Sequence, residues 1–150
     1  MIFWELQSWE TGGGRSRLTI WSDGRSEVMI VPDEYFRRKP DMLLPRDGWT
    51  VRNGKRGLYF IRINVFPEEV AREKVRQAMA AGIHRLKTFK PGYLDGSGTL
   101  VGVGIEGKLI QTVIPMFLDR DRGSVNHKRF IAVSKVLSDF DRLLMMSGIS

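Results

Sequence analysis

Cysteine is absent from this chain. Its absence removes disulfide frameworks, thiolate zinc sites, iron–sulfur clusters and cysteine nucleophiles in one step. Histidine is nearly as scarce. Only His84 and His127 occur, and no H-x-H, H-x-x-E or H-E-x-x-H spacing surrounds either, so no metal site is expected. A run of about 18 apolar residues, which a membrane-spanning helix needs, is also missing. The N-terminus, Met1-Ile2-Phe3-Trp4-Glu5-Leu6, has neither a basic region nor a long apolar stretch, so it does not read as a secretory signal. These absences point to a cytoplasmic protein without a metal or cofactor.

What remains is an ordinary globular composition. The 150 residues are 42% hydrophobic and 27% charged, which fits one domain better than two. A chain of this length buries roughly two-thirds of its unfolded surface, enough for a core without cross-links.

The first third alternates with a period of two. Ile2, Trp4 and Leu6 stand against Phe3, Glu5 and Gln7, and residues 17–21 and 27–31 continue the pattern. Thr11-Gly12-Gly13-Gly14 and Asp23-Gly24 supply hairpin turns. Leu18 and Ile20 share one face of their strand, which leaves Arg17, Thr19 and Trp21 on the other; a second layer is expected to cover Trp21. Residues 35–57 are punctuated by Pro40, Pro45, Gly48, Asn53-Gly54 and Gly57. They read as a long connection with a short hairpin turning at Asn53-Gly54. Residues 58–65 form the next strand.

Pro67-Glu68-Glu69 opens a helix, because proline suits its first position and the carboxylates suit its positive end. Val70, Ala71, Val75, Ala78 and Met79 recur at helical spacing, and Gly82 caps the far end. Residues 99–105 and 108–115 form a hairpin around Glu106-Gly107. Residues 119–124 read as a charged loop. Finally, Phe130, Val133, Leu137, Phe140 and Leu144 fall on one helical stripe. Ser124 or Asn126 caps that helix, and Gly148 lies past its end. The expected fold class is α+β, an antiparallel sheet of about five to seven strands with two helices packed on one face. Residues 1–150 form a single domain, with 35–57 as a basic inserted loop.

Several motifs resemble catalytic signatures and fail on context. Gly102-Val103-Gly104-Ile105-Glu106-Gly107 matches G-x-G-x-x-G, but a dinucleotide site needs a helix to follow. The β-branched run to Pro115 reads as a strand instead. Asp119-Arg120-Asp121-Arg122-Gly123 resembles half of a calcium loop, yet Phe130 stands where the closing glutamate is required. Gly96-Ser97-Gly98 lacks the spacers of a nucleophile elbow. A hydrolase using Asp95 or Asp119 with His127 is the weakest of three functional readings.

Charge is the most informative chemical feature. Lys and Arg total 24 against 17 Asp and Glu, a net +7. Residues 1–34 are acidic by three charges, whereas 35–57 carry seven basic and two acidic residues. Tyr35, Phe36 and Trp49 are interleaved there. Cations mixed with aromatics suit phosphates and bases, and they equally suit an acidic protein surface. The partner-binding candidates are Arg37, Arg38, Lys39, Trp49, Arg52, Lys55 and Arg56. No RNA-recognition, KH, zinc-finger or helix-turn-helix pattern accompanies them. The expected function is a small non-enzymatic protein-binding module, with nucleic-acid binding through 35–57 as the alternative. The sequence sets no oligomeric state.

One arrangement is similar to a known group. Leu18-Thr19-Ile20-Trp21-Ser22-Asp23-Gly24 precedes a helix from Pro67-Glu68-Glu69-Val70 to Ala81-Gly82-Ile83. A Tyr93-Leu94-Asp95-Gly96 turn, a hairpin and a terminal helix follow. This resembles small bacterial α+β domains of unknown function, over roughly residues 15–145 of this chain. The resemblance implies an inhibitor-like role, and it implies no catalytic residues. Members are often lipoprotein-like, and this chain departs from them in having no lipobox.

Overall fold

The computed structural model describes residues 1–8, 15–32, 48–55, 57–87, 97–115 and 123–137. Strands β1 (Ile2–Ser8), β2 (Arg15–Ile20), β3 (Ser26–Val31), β4 (Thr50–Gly54), β5 (Gly57–Ile63), β6 (Ser97–Ile105) and β7 (Lys108–Pro115) form one seven-stranded sheet. Their order is β4-β5-β3-β2-β1-β6-β7, and every neighbouring pair is antiparallel. Helices α1 (Glu68–Ala80) and α2 (Val125–Val136), with a 3-10 turn at Ile83–Arg85, complete the described elements. The fold is the expected α+β class.

Register converts the period of two into a core. Ile2 stands opposite Ile20 and Val103, Trp4 opposite Leu18 and Val101, and Ile30 opposite Phe60. Successive residues point to opposite sides of a sheet, so these pairs collect on one face. That face packs on Ala71 and Ala78 of α1, Val133 of α2 and Leu137 just beyond it, all buried. Alanines on α1 let its backbone approach the sheet closely. The Trp4 and Phe130 rings stack with centroids 5.5 Å apart, which fixes α2 over β1. Burying each large apolar side chain contributes roughly 1.5–3 kcal/mol, so this layer dominates the fold's stability. Between the helices, the Lys74 ammonium donates to the Val136 carbonyl at 2.9 Å and lies 5.0 Å from the Phe66 ring centroid. A cation there meets the negative end of α2.

The helix ends follow local chemistry. Pro67 sits at the N-cap rather than the first helical position, and its carbonyl accepts the Ala71 N–H. Gly82 adopts φ 90, and its N–H donates to the Met79 carbonyl, the left-handed ending that glycine permits. Ser124 caps α2, its hydroxyl accepting the His127 N–H at 3.1 Å. Asn126, the other candidate cap, brackets the backbone of Lys87 instead. It accepts from the Lys87 N–H at 2.9 Å and donates to the Lys87 carbonyl at 2.7 Å.

Two details of the hairpin within 35–57 depart from the sequence reading. The hairpin forms, but Gly54 pairs with Gly57, so Asn53 and Gly54 belong to the strand and the turn begins at Lys55. Gly57 carries φ 102 and supplies the left-handed residue that the turn requires. Part of the expected loop is therefore an edge strand of the sheet. Trp21 lies on the face opposite α1 and α2. It is half-exposed, and the Arg25 guanidinium lies 4.9 Å from its ring centroid. The glycine turn at 11–14, all of 35–47, the turn at 93–96, the loop at 119–122 and the stripe residues Phe140 and Leu144 lie outside the described residues. No helix among the described residues is long and apolar enough to cross a membrane.

Candidate partner-binding edge

The sheet ends at β4 on one side, and every residue of β4 is exposed. An edge strand presents unpaired N–H and C=O groups to any strand that can align with it, and natural edges commonly carry charge to limit such pairing. Here the charge comes from Arg52 within the strand and Lys55 in the turn. Both are exposed, and neither forms an ion pair among the described residues. Arg52 stands opposite Tyr59, on the face away from the helices. Val51, on the helix-bearing face, is 44% exposed. The edge thus combines bare backbone, two unneutralised cations and an apolar side chain.

Trp49 precedes this strand and is half-buried against the core. Its ring anchors the start of β4. Of the sequence-derived candidates, the structure brings Trp49, Arg52 and Lys55 together on one hairpin. Arg37, Arg38, Lys39 and Arg56 lie outside the described residues.

The sequence reading passed over a charged pair at the centre of the sheet. Phe3 and Glu5 lie on the face opposite the helices, yet they are only 2% and 1% exposed. Arg17 Nε donates to the Glu5 carboxylate, and its guanidinium lies 4.4 Å from the Phe3 ring centroid. The signal was present in the alternation. The same period that places Leu18 and Ile20 inward places Glu5 opposite Arg17 on the other side. Their arrangement ties β1 to β2.

A cleft of about 580 Å³ opens at the start of α1, lined by Asp23, Arg25, Asn64, Phe66 and Glu68 among others. Its charges satisfy one another. Asp23 accepts from the Arg25 backbone N–H at 3.1 Å and from Arg25 Nε at 2.7 Å. The backbone donor foremost, with the guanidinium, holds its carboxyl below the usual carboxylate range. Arg72 donates to Glu68 and to the Asp23 carbonyl. No histidine lines this cleft.

The remaining motifs take structural positions. His127 Nδ1 accepts the Gly123 N–H at 3.1 Å, a local tie at the start of α2, while Asp95 and Asp119 lie outside the described residues. His84 Nδ1 is buried without a hydrogen-bond partner among the described residues. No cluster of three metal-ligating side chains occurs among the described residues. The glycine motif at 102–107 spans the β6–β7 hairpin, and a strand follows it, not the helix that a pyrophosphate site requires. Glu106 and Gly107 form its two-residue turn at φ 49 and φ 76. No family model matches this chain, and no curated protein matches it in sequence.

Proposed function

We propose that this chain is a non-enzymatic protein-binding module, of the immunity-like inhibitor or accessory-subunit kind, that receives an acidic extended segment of its partner along β4. One observation carries the reading: β4 is an exposed edge strand whose cations, Arg52 and Lys55, have no neutralising partner among the described residues. Strand addition recruits backbone hydrogen bonds for affinity and flanking side chains for specificity. Carboxylates on an incoming strand would supply the missing counter-charge. The position of Trp49 favours a protein over a nucleic acid. Single-strand binders stack bases on open aromatic faces, and Trp49 is half-buried against the core.

Charge reversal tests the reading. Cross-linked capture from the native host should recover a stable protein partner with the wild-type chain. The Arg52→Glu/Lys55→Glu variant should lose it while keeping its circular dichroism spectrum. Capture that is absent, or unchanged by the reversal, would overturn the proposal.

A further inference from the structure

The opposite edge of the sheet has a different character. Leu109 is 52% exposed, Ile110 41% and Val113 50%, and residues 109–115 of β7 contain no charge. Which backbone groups face outward follows from hydrogen bonds already formed. The Gly104 N–H donates to the Met1 carbonyl at 2.8 Å, and the Met1 amino group donates to the Gly104 carbonyl. Both polar groups of Gly104 therefore point toward β1. Outward groups alternate along a strand, so Ile105, Val103 and Val101 are the residues of β6 that bond to β7. Their opposites are Lys108, Ile110 and Thr112. Leu109, Gln111 and Val113 consequently turn their N–H and C=O groups away from the sheet. Pro115 falls in the same outward set, where its missing N–H breaks no ladder bond.

This row is complementary to itself. We infer that β7 pairs antiparallel with β7 of a second copy about a two-fold axis at Gln111, joining two sheets into one. In that register Leu109 of one copy faces Val113 of the other, Gln111 faces Gln111, and all are hydrogen-bonding positions. The apolar pairs add cross-strand contact on the face away from the helices. No charge opposes a like charge within the paired stretch. The β4 edge does not have this property, because Arg52 and Lys55 crowd positive charge along it. A two-fold relation is also the commonest way for identical chains to associate. A single strand pair buries less surface than a permanent dimer, so the dimer is expected to be concentration-dependent.

The inference concerns the edge remote from β4 and does not depend on the function proposed above. The absence of cysteine makes a direct test clean. Gln111→Cys places two thiols on opposed residues whose α-carbons, about 5.5 Å apart in a hydrogen-bonded pair, lie within disulfide range. Mild oxidation should yield a covalent dimer from Gln111→Cys at a rate that rises with protein concentration. Leu109→Cys, whose opposite residue is Val113, should cross-link far less. Sedimentation velocity should show wild-type dimer increasing with concentration, and Val113→Lys should remain monomeric with an unchanged circular dichroism spectrum. Equal cross-linking of both cysteine variants would overturn the assignment, as would a wild-type chain that stays monomeric across the series. Should Val113→Lys fail to fold, the cysteine comparison decides alone.

Discussion

The ring of Phe3 occupies the space that a side chain at position 102 would fill. A β-carbon built on Gly102 falls 2.0 Å from Phe3 Cε1, far inside any tolerated contact. The two residues are register partners on adjacent strands, and the ring is buried, so it has little room to swing away. Gly102→Ala should therefore destabilise the fold by about 1–3 kcal/mol through overpacking. At this chain length that lowers Tm by several degrees. Thermal denaturation of Gly102→Ala, Phe3→Ala and the double variant measures the coupling. The double variant should be more stable than the sum of the single losses predicts.

The Glu5–Arg17 pair makes a second prediction. Glu5 is almost wholly buried, while the Arg17 side chain is 32% exposed. Arg17→Met keeps an apolar stem over Phe3 but strips the guanidinium from a buried carboxylate. The expected loss is about 2–3 kcal/mol, at the low end for a buried pair because Arg17 reaches solvent. Urea unfolding should show Glu5→Gln/Arg17→Met losing less than Arg17→Met alone, since the double variant removes the buried charge together with its Arg17 counter-charge.

Lys74 links the two helices through the Val136 carbonyl. Lys74→Met retains the stem beside Phe66 and removes the donor. A cost of about 1–2 kcal/mol is expected from the lost charged hydrogen bond and the uncapped end of α2. The urea midpoint should fall with an unchanged m-value, which marks lost stability without a change in the unfolded state.

Asp23 predicts a pH dependence. Its folded-state carboxyl is held below the ordinary range by Arg25. A lowered folded value means that its stabilisation is present above the unfolded value and is lost as pH falls through the folded one. Wild type should therefore exceed Asp23→Asn in stability at neutral pH, with the gap closing in strongly acidic solution. A gap that widens on acidification would contradict the assigned cause. The group is exposed, so the effect should be small and should shrink with added salt.

Much of the architecture was legible because alternation and turn chemistry act locally. The period at Ile2, Trp4, Leu18 and Ile20 named the core face, and Asp23-Gly24, Glu106-Gly107 and Gly82 marked their turns and helix end. The hairpin at β4 was legible in kind but not in register. Asn-Gly is a strong turn signal, yet Gly57 took the left-handed conformation and drew Asn53 into the strand. Tertiary relations were not legible. Nothing local to Gly102 announces the Phe3 ring, and nothing around Lys74 announces the end of a helix 62 residues away. The basic segment was visible as a count of charges. Only the fold separates Trp49, half-buried against the core, from Arg52 and Lys55, which stand exposed on an edge.

The most direct test of the protein-binding account is fluorescence anisotropy of the wild-type chain with two labelled probes of equal negative charge. One is an extended peptide alternating glutamate and valine; the other is a single-stranded oligonucleotide. The account predicts that the peptide binds more tightly. It also predicts that methylating alternate backbone amides of the peptide weakens binding, because strand addition needs those donors. A preference for the oligonucleotide, with affinity falling steeply as salt rises, would contradict the account.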